Sequence, residues 1–141
     1  MKFNFLLIGF LFLVSCNSKP DYKDVEKLNG FWEIEKAETP YGDKSYTMNQ
    51  MVDYFQVEDS TGFRKKMQPS LLGNYQSSKN REYFKIKNYE DSLVLIYNNE
   101  YDTWTETLMS ISKEQFVVKN KQNFIYTYKR HNPDNIDLDE K

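Results

Sequence analysis

The sequence predicts an all-β protein, an antiparallel up-and-down barrel of eight to nine strands. Three observations carry this expectation. Short segments rich in Tyr, Phe, Trp, Val, Ile and Thr recur between turn-forming clusters, at the close spacing of an all-β domain. Several alternate apolar with polar residues at the period of two that a half-buried strand requires. Beyond the first fifteen residues, no stretch sustains helical periodicity.

The chain opens MKFNFLLIGFLFLVSC. Lys2 gives a positive start, and residues 5–14 form an unbroken apolar run. Ten helical residues extend about 15 Å, half of a hydrocarbon core roughly 30 Å thick, so the run is a secretory signal and not a span. Its ending, Leu13-Val14-Ser15-Cys16, resembles the lipobox of bacterial lipoproteins. That resemblance implies removal of residues 1–15 and a mature chain that begins at Cys16 and carries acyl chains of the palmitate type. Each buried CH₂ contributes about 0.8 kcal/mol, so two or three chains anchor a protein to a membrane stably. Asn17 follows the Cys where an Asp would imply retention at the inner membrane, so the implied address is the outer membrane of a bacterial envelope.

Residues 16–27 are polar and charged after the Cys and are expected to be a flexible tether. The barrel is expected over 28–130, with an acidic, disordered tail at 131–141. Its first strand, 31–38, alternates Trp32 and Ile34 with Glu33 and Glu35. Segment 45–51 is either a helical turn or an ordered loop. Strands follow at 52–58 and 83–89, the latter alternating Phe84 and Ile86 with Lys85 and Lys87, with weaker ones at 62–66 and near 71–76. The apolar run LVLIY at 93–97 is joined to the strand before it by Glu90-Asp91-Ser92. The last three strands are 103–111, 115–119 and 123–130, the final two separated by Asn120-Lys121-Gln122.

Leu28-Asn29-Gly30-Phe31-Trp32 at the first strand resembles the Gly-x-Trp signature that opens lipocalins and their short bacterial lipocalin-like relatives. The resemblance implies that Gly30 and Trp32 close one end of the barrel and that Arg130, ending the last strand, packs over the Trp ring. A guanidinium over an indole gains about 0.5–2 kcal/mol and ties the first strand to the last. It also implies a small hydrophobic ligand. Candidate lining residues are Phe55, Tyr83, Tyr97, Trp104 and Tyr126, whose rings bury area while the tyrosine hydroxyls orient a polar group. An eight-stranded barrel is just wide enough to be filled by side chains or to hold one small ligand. The alternative is therefore a filled barrel acting as a protein-interaction module of the envelope, a hydrolase inhibitor being one case.

Other chemistries lack residues. Nineteen Lys and Arg against 21 Asp and Glu give a net charge of −2, which offers no footprint for nucleic acid. One Cys and one His exclude an internal disulfide and a Cys/His zinc cluster. His131 is expected in the tail with nothing to orient it, the glycines are scattered, and adjacent carboxylates such as Glu58 and Asp59 alternate faces on a strand. Residues 97–102 (YNNEYD) lack calcium-loop spacing. No enzyme, cofactor or metal is expected. The basic run Arg64-Lys65-Lys66 could meet anionic lipid headgroups or a carboxylate at the barrel mouth, and is read in preference as a solvated face or a guard on an edge strand.

Overall fold

The computed structural model describes residues 18–46, 51–70 and 74–132. The expected signal peptide 1–15, Cys16 and the expected tail at 133–141 lie outside them, as do 47–50 in the ambiguous 45–51 segment and 71–73 at the start of the weak strand expected near 71–76.

A 3-10 helix, Tyr22–Leu28, precedes nine antiparallel strands: β1 (Gly30–Thr39), β2 (Gly42–Ser45), β3 (Val52–Glu58), β4 (Thr61–Pro69), β5 (Tyr75–Tyr89), β6 (Ser92–Asn98), β7 (Thr103–Ile111), β8 (Gln115–Asn120) and β9 (Ile125–Arg130). Each strand from β3 to β9 pairs with the next, and β9 pairs back onto β1. The result is the closed eight-stranded antiparallel barrel expected from sequence, plus one short strand. β9 occupies one edge of β1, so β2 and β3 share the other: Gly30–Trp32 pairs with β3, while Lys36 to Thr39 pairs with β2.

Connections alternate between two ends. One end carries the start of β1 and the turns β3–β4, β5–β6 and β7–β8; the other, the mouth, carries β1–β2, β4–β5, β6–β7 and β8–β9. Glu90 and Asp91 both take positive φ (49° and 62°), the twist that a two-residue hairpin between β5 and β6 demands.

Three segments differ from expectation. Tyr22–Leu28 is a capped helix and not part of a tether. Val25 and Leu28, three residues apart, fall on one side of a 3-10 helix with three residues per turn, and both are buried beneath the barrel. Asp21 and Asp24 cap its start reciprocally. The weak strand near 71–76 and the strand 83–89 give way to one long strand, β5, whose polar first half pairs with the upper half of β4. His131 is not in a free tail: its backbone N–H donates to the Phe31 carbonyl at 2.9 Å.

Candidate functional site

The sealed end is built around Trp32, whose indole N–H donates to the Leu28 carbonyl at 2.7 Å. The Arg130 guanidinium lies 3.7 Å from the Trp32 ring centroid. Its Nε donates to the Lys113 carbonyl (2.8 Å), Nη1 to that of Asn29 (2.6 Å) and Nη2 to that of Lys27 (2.8 Å). One side chain thus ties the helix, the entry to β1 and the β7–β8 turn to β9. Gly30 stands in this clasp because its φ is +115° and because a Cβ there would lie 2.8 Å from Arg130 Nη1. Gly30, Trp32 and Arg130 therefore meet at one point.

Above the clasp the interior is a chain of rings. Trp32 meets Phe116 edge-on at 4.7 Å, Phe116 stacks on Tyr128 at 4.5 Å, and Phe55 touches Phe84, Phe116 and Tyr128. Phe84 leads on to Tyr97, which stacks flat on Trp104 at 5.0 Å. A side chain lining a void wide enough for water keeps accessible surface. Tyr97, Leu95 and Trp32 have 0% exposure and Phe55 and Phe116 1%, so these side chains face no such void.

A polar tier crosses this core. Arg64 is buried, its guanidinium 4.8 Å above the Tyr97 ring; Nε donates to Glu82 at 2.6 Å and Nη1 lies 3.6 Å from Glu106. Beside it Lys66 pairs with the buried Asp53 at 2.8 Å. Burial raises the pKa of Glu106, with the Arg64 charge and the Tyr97 hydroxyl opposing. Burial also pushes the Tyr97 and Tyr128 phenols well above their ordinary range. The Tyr97 hydroxyl is enclosed beside this pair and makes no hydrogen bond of good geometry among the described residues.

Of the candidate lining residues, Phe55 and Tyr97 lie in the packed core, and Trp104 and Tyr126 are half-buried against it on the inner face. Tyr83 is corrected: it points outward and is 56% exposed, because Phe84 and Ile86 take the inner positions of β5. The basic run is corrected too. Arg64 turns into the barrel, and β4 is no edge, being paired on both sides.

The outer face of β3 to β6 carries a groove of about 570 Å³, lined by Phe63, Tyr83 and Ile96, with Gly62 and Phe84 at its floor and Glu58, Lys85 and Lys87 around it. Gly62 has no side chain to spare, since a Cβ would collide with the Gln56 carbonyl and come within 2.8 Å of the Phe84 ring. An aromatic stripe leads into the groove: Phe31 to Tyr54 (4.9 Å), Tyr54 to Phe63 (6.2 Å), Phe63 to Tyr83 (6.1 Å). At its far end Tyr75 stacks on Phe31 at 4.6 Å, and His131 bridges the Tyr75 hydroxyl (2.9 Å) and Glu33 (3.2 Å).

Sequence reasoning passed over Glu106, Arg64 and the His131 brace. Glu106 was within reach, since the period of two sets it on the inner face with Trp104 and Leu108. The inner positions of β4 are Gly62, Arg64 and Lys66, with no apolar residue to mark the face.

The described residues thus form a closed eight-stranded antiparallel barrel with a 3-10 helix and an Arg–Trp clasp at one end. Among solved structures, a lipocalin-like protein from Bacteroides uniformis aligns over 74% of this chain and 99% of its own, at 8% identity and a TM-score of 0.47. No protein-family model and no curated protein matches the chain.

Proposed function

We propose that this is a non-enzymatic binding protein, held by a lipidated Cys16 to the outer membrane of a bacterial envelope, that takes a small hydrophobic molecule on the outside of its barrel. The observation that carries the binding site is a contrast. At the ring-packed centre Trp32, Phe55, Tyr97 and Phe116 are at most 1% exposed, whereas the outer groove is of ligand size and lined by Phe63, Tyr83 and Ile96. Affinity would come from apolar burial, at roughly 25 cal/mol per Å².

The described residues close their own barrel and core, so the chain from residue 17 onward serves as a test protein. Incubated with an envelope lipid extract and weighed intact by native mass spectrometry, it should gain one discrete mass, and Tyr83→Ser should lose it. Retention of the mass by Tyr83→Ser, with Trp104 emission altered by ligand, would place the ligand inside and refute the outer site. Anchoring is tested separately, since Cys16→Ser should move the full chain out of the membrane fraction.

A second reading, a protein-interaction module, rests on Tyr41 and Tyr101. They sit on two mouth turns and are 92% and 91% exposed, which suits a protein partner. Cross-linking from these two positions in whole cells would trap such a partner; an unlinked protein would refute this reading.

A further inference from the structure

We infer that the outer groove selects an anionic amphiphile: a free single-chain acid whose tail lies on Phe63, Tyr83 and Ile96 and whose charge is met by Lys85 and Lys87, with Lys65 and Arg81 on the opposite flank. The inference rests on the outer groove being the binding site.

The register fixes the layout. Across the outer face of β3 to β6 run three rows: Tyr54, Lys65 and Arg81; then Gln56, Phe63, Tyr83 and Asn98; then Glu58, Thr61, Lys85 and Ile96. Lys87 follows on β5, opposite Val94. An apolar strip is therefore bordered by cations on both sides. None of Lys65, Arg81, Lys85 and Lys87 forms an ion pair among the described residues, and Glu58 is the one carboxylate in the groove lining. Arg81 instead lies over Phe63, 4.6 Å from the ring centroid, which holds a positive charge against the apolar strip.

Two ordinary reasons for surface lysines do not apply. Basic residues on a strand often block edge pairing, but Lys65 and Lys85 stand where their strands are paired on both sides. Nor is the chain basic overall; its net charge is −2, so a face with four unpaired cations is a local segregation of charge. The ligand that complements an apolar strip with cationic borders has an apolar body and an anionic head. The groove volume of about 570 Å³ lies within the range of small-molecule sites, roughly 300–1,000 Å³.

The test uses residues 17–141 and three probes with the same tail: dodecanoate, dodecanol and dodecyltrimethylammonium, titrated calorimetrically below their micellar concentrations. Dodecanoate should bind about tenfold more tightly than dodecanol, from two partly exposed ion pairs, and the preference should shrink in high salt. Lys85→Gln/Lys87→Gln should bring dodecanoate down to the level of dodecanol and leave dodecanol unchanged, an outcome that misfolding cannot imitate. Equal affinity for acid and alcohol, with both lost in Tyr83→Ser, would overturn the charge selection while leaving the groove as the site. Binding of all three probes unaffected by Tyr83→Ser would overturn the groove itself. Tighter capture of an acidic peptide than of dodecanoate would overturn the small-molecule assignment in favour of a protein ligand.

Discussion

Replacing Arg130 with Met keeps the length of the side chain and removes its donors and its charge. The parent side chain makes three hydrogen bonds to carbonyls on two segments and covers the Trp32 ring. Two of these bonds are exposed and the third partly buried, so each is worth about 0.5–1 kcal/mol, below the range for buried charged donors. The cation–π contact adds about 0.5–1 kcal/mol. The expected loss is about 2–4 kcal/mol, which at a urea m-value of about 2 kcal/mol/M moves the midpoint down by about 1–2 M. Unfolding of the 17–141 chain, followed by Trp fluorescence and by circular dichroism, measures it, provided that m stays constant. Arg130→Lys is the informative control. An ammonium can sit over the ring but cannot reach three carbonyls in fork geometry, so it should recover less than half of the loss. A Met variant within about 0.5 kcal/mol of the parent, or a Lys variant equal to it, would refute the clasp.

Three further perturbations test the packing. Leu28→Ala, at a fully buried position of the entry helix, should cost about 2–5 kcal/mol, read in the same urea experiment; a surface-like cost would mean that the helix does not plug the barrel. Gly62→Ala must push its Cβ into the Gln56 carbonyl and the Phe84 ring and should cost about 1–3 kcal/mol, whereas stabilisation would refute the close approach. Arg64→Met strands the buried Glu106 and should cost about 3–5 kcal/mol, most of it recovered by adding Glu106→Gln. The Glu106 pKa is raised above its ordinary 4.5, chiefly by burial, so the stability it confers is present below that value and lost as pH rises through the shifted one. Glu106→Gln alone should therefore gain on the parent from acid to neutral pH, and a pH-independent difference would contradict this.

Most of the barrel is legible because a strand writes its two faces at alternate positions. β3 and β7 match the expected 52–58 and 103–111 residue for residue, since Phe55 and Val57 on one and Trp104 and Leu108 on the other mark the inner face at alternate positions. The same rule places Tyr83: on β5 it shares a face with Lys85 and Lys87, so its aromatic character argued for the inside while its position argued for the outside, and position won. The 3-10 helix was hidden because two apolar residues in a run of charges suffice when the helix covers a barrel end and has no core of its own to build. The clasp is legible as far as its residue types, Gly30, Trp32 and Arg130, but its three carbonyl acceptors belong to segments whose proximity only closure creates. The outer groove was illegible for a related reason. It is made of residues on four strands whose register, set by bulges such as that between Lys65 and Met67, no single segment specifies.

Two features of the described interior weigh against an apolar ligand among its rings. Sterically, the rings from Trp32 to Trp104 touch in sequence, and an eight-stranded barrel is narrow enough for such side chains to fill it. Electrostatically, anything descending from the mouth meets Arg64 between Glu82 and Glu106, with Asp53 and Lys66 beside them. Parting a buried ion pair leaves both charges uncompensated, at a cost of several kcal/mol that a hydrocarbon tail cannot offset with hydrogen bonds of its own. The polar tier thus adds to the cost of opening this core. Phe31, Tyr54, Phe63 and Tyr83, by contrast, turn outward in one stripe across four paired strands, where contact with a ligand breaks nothing.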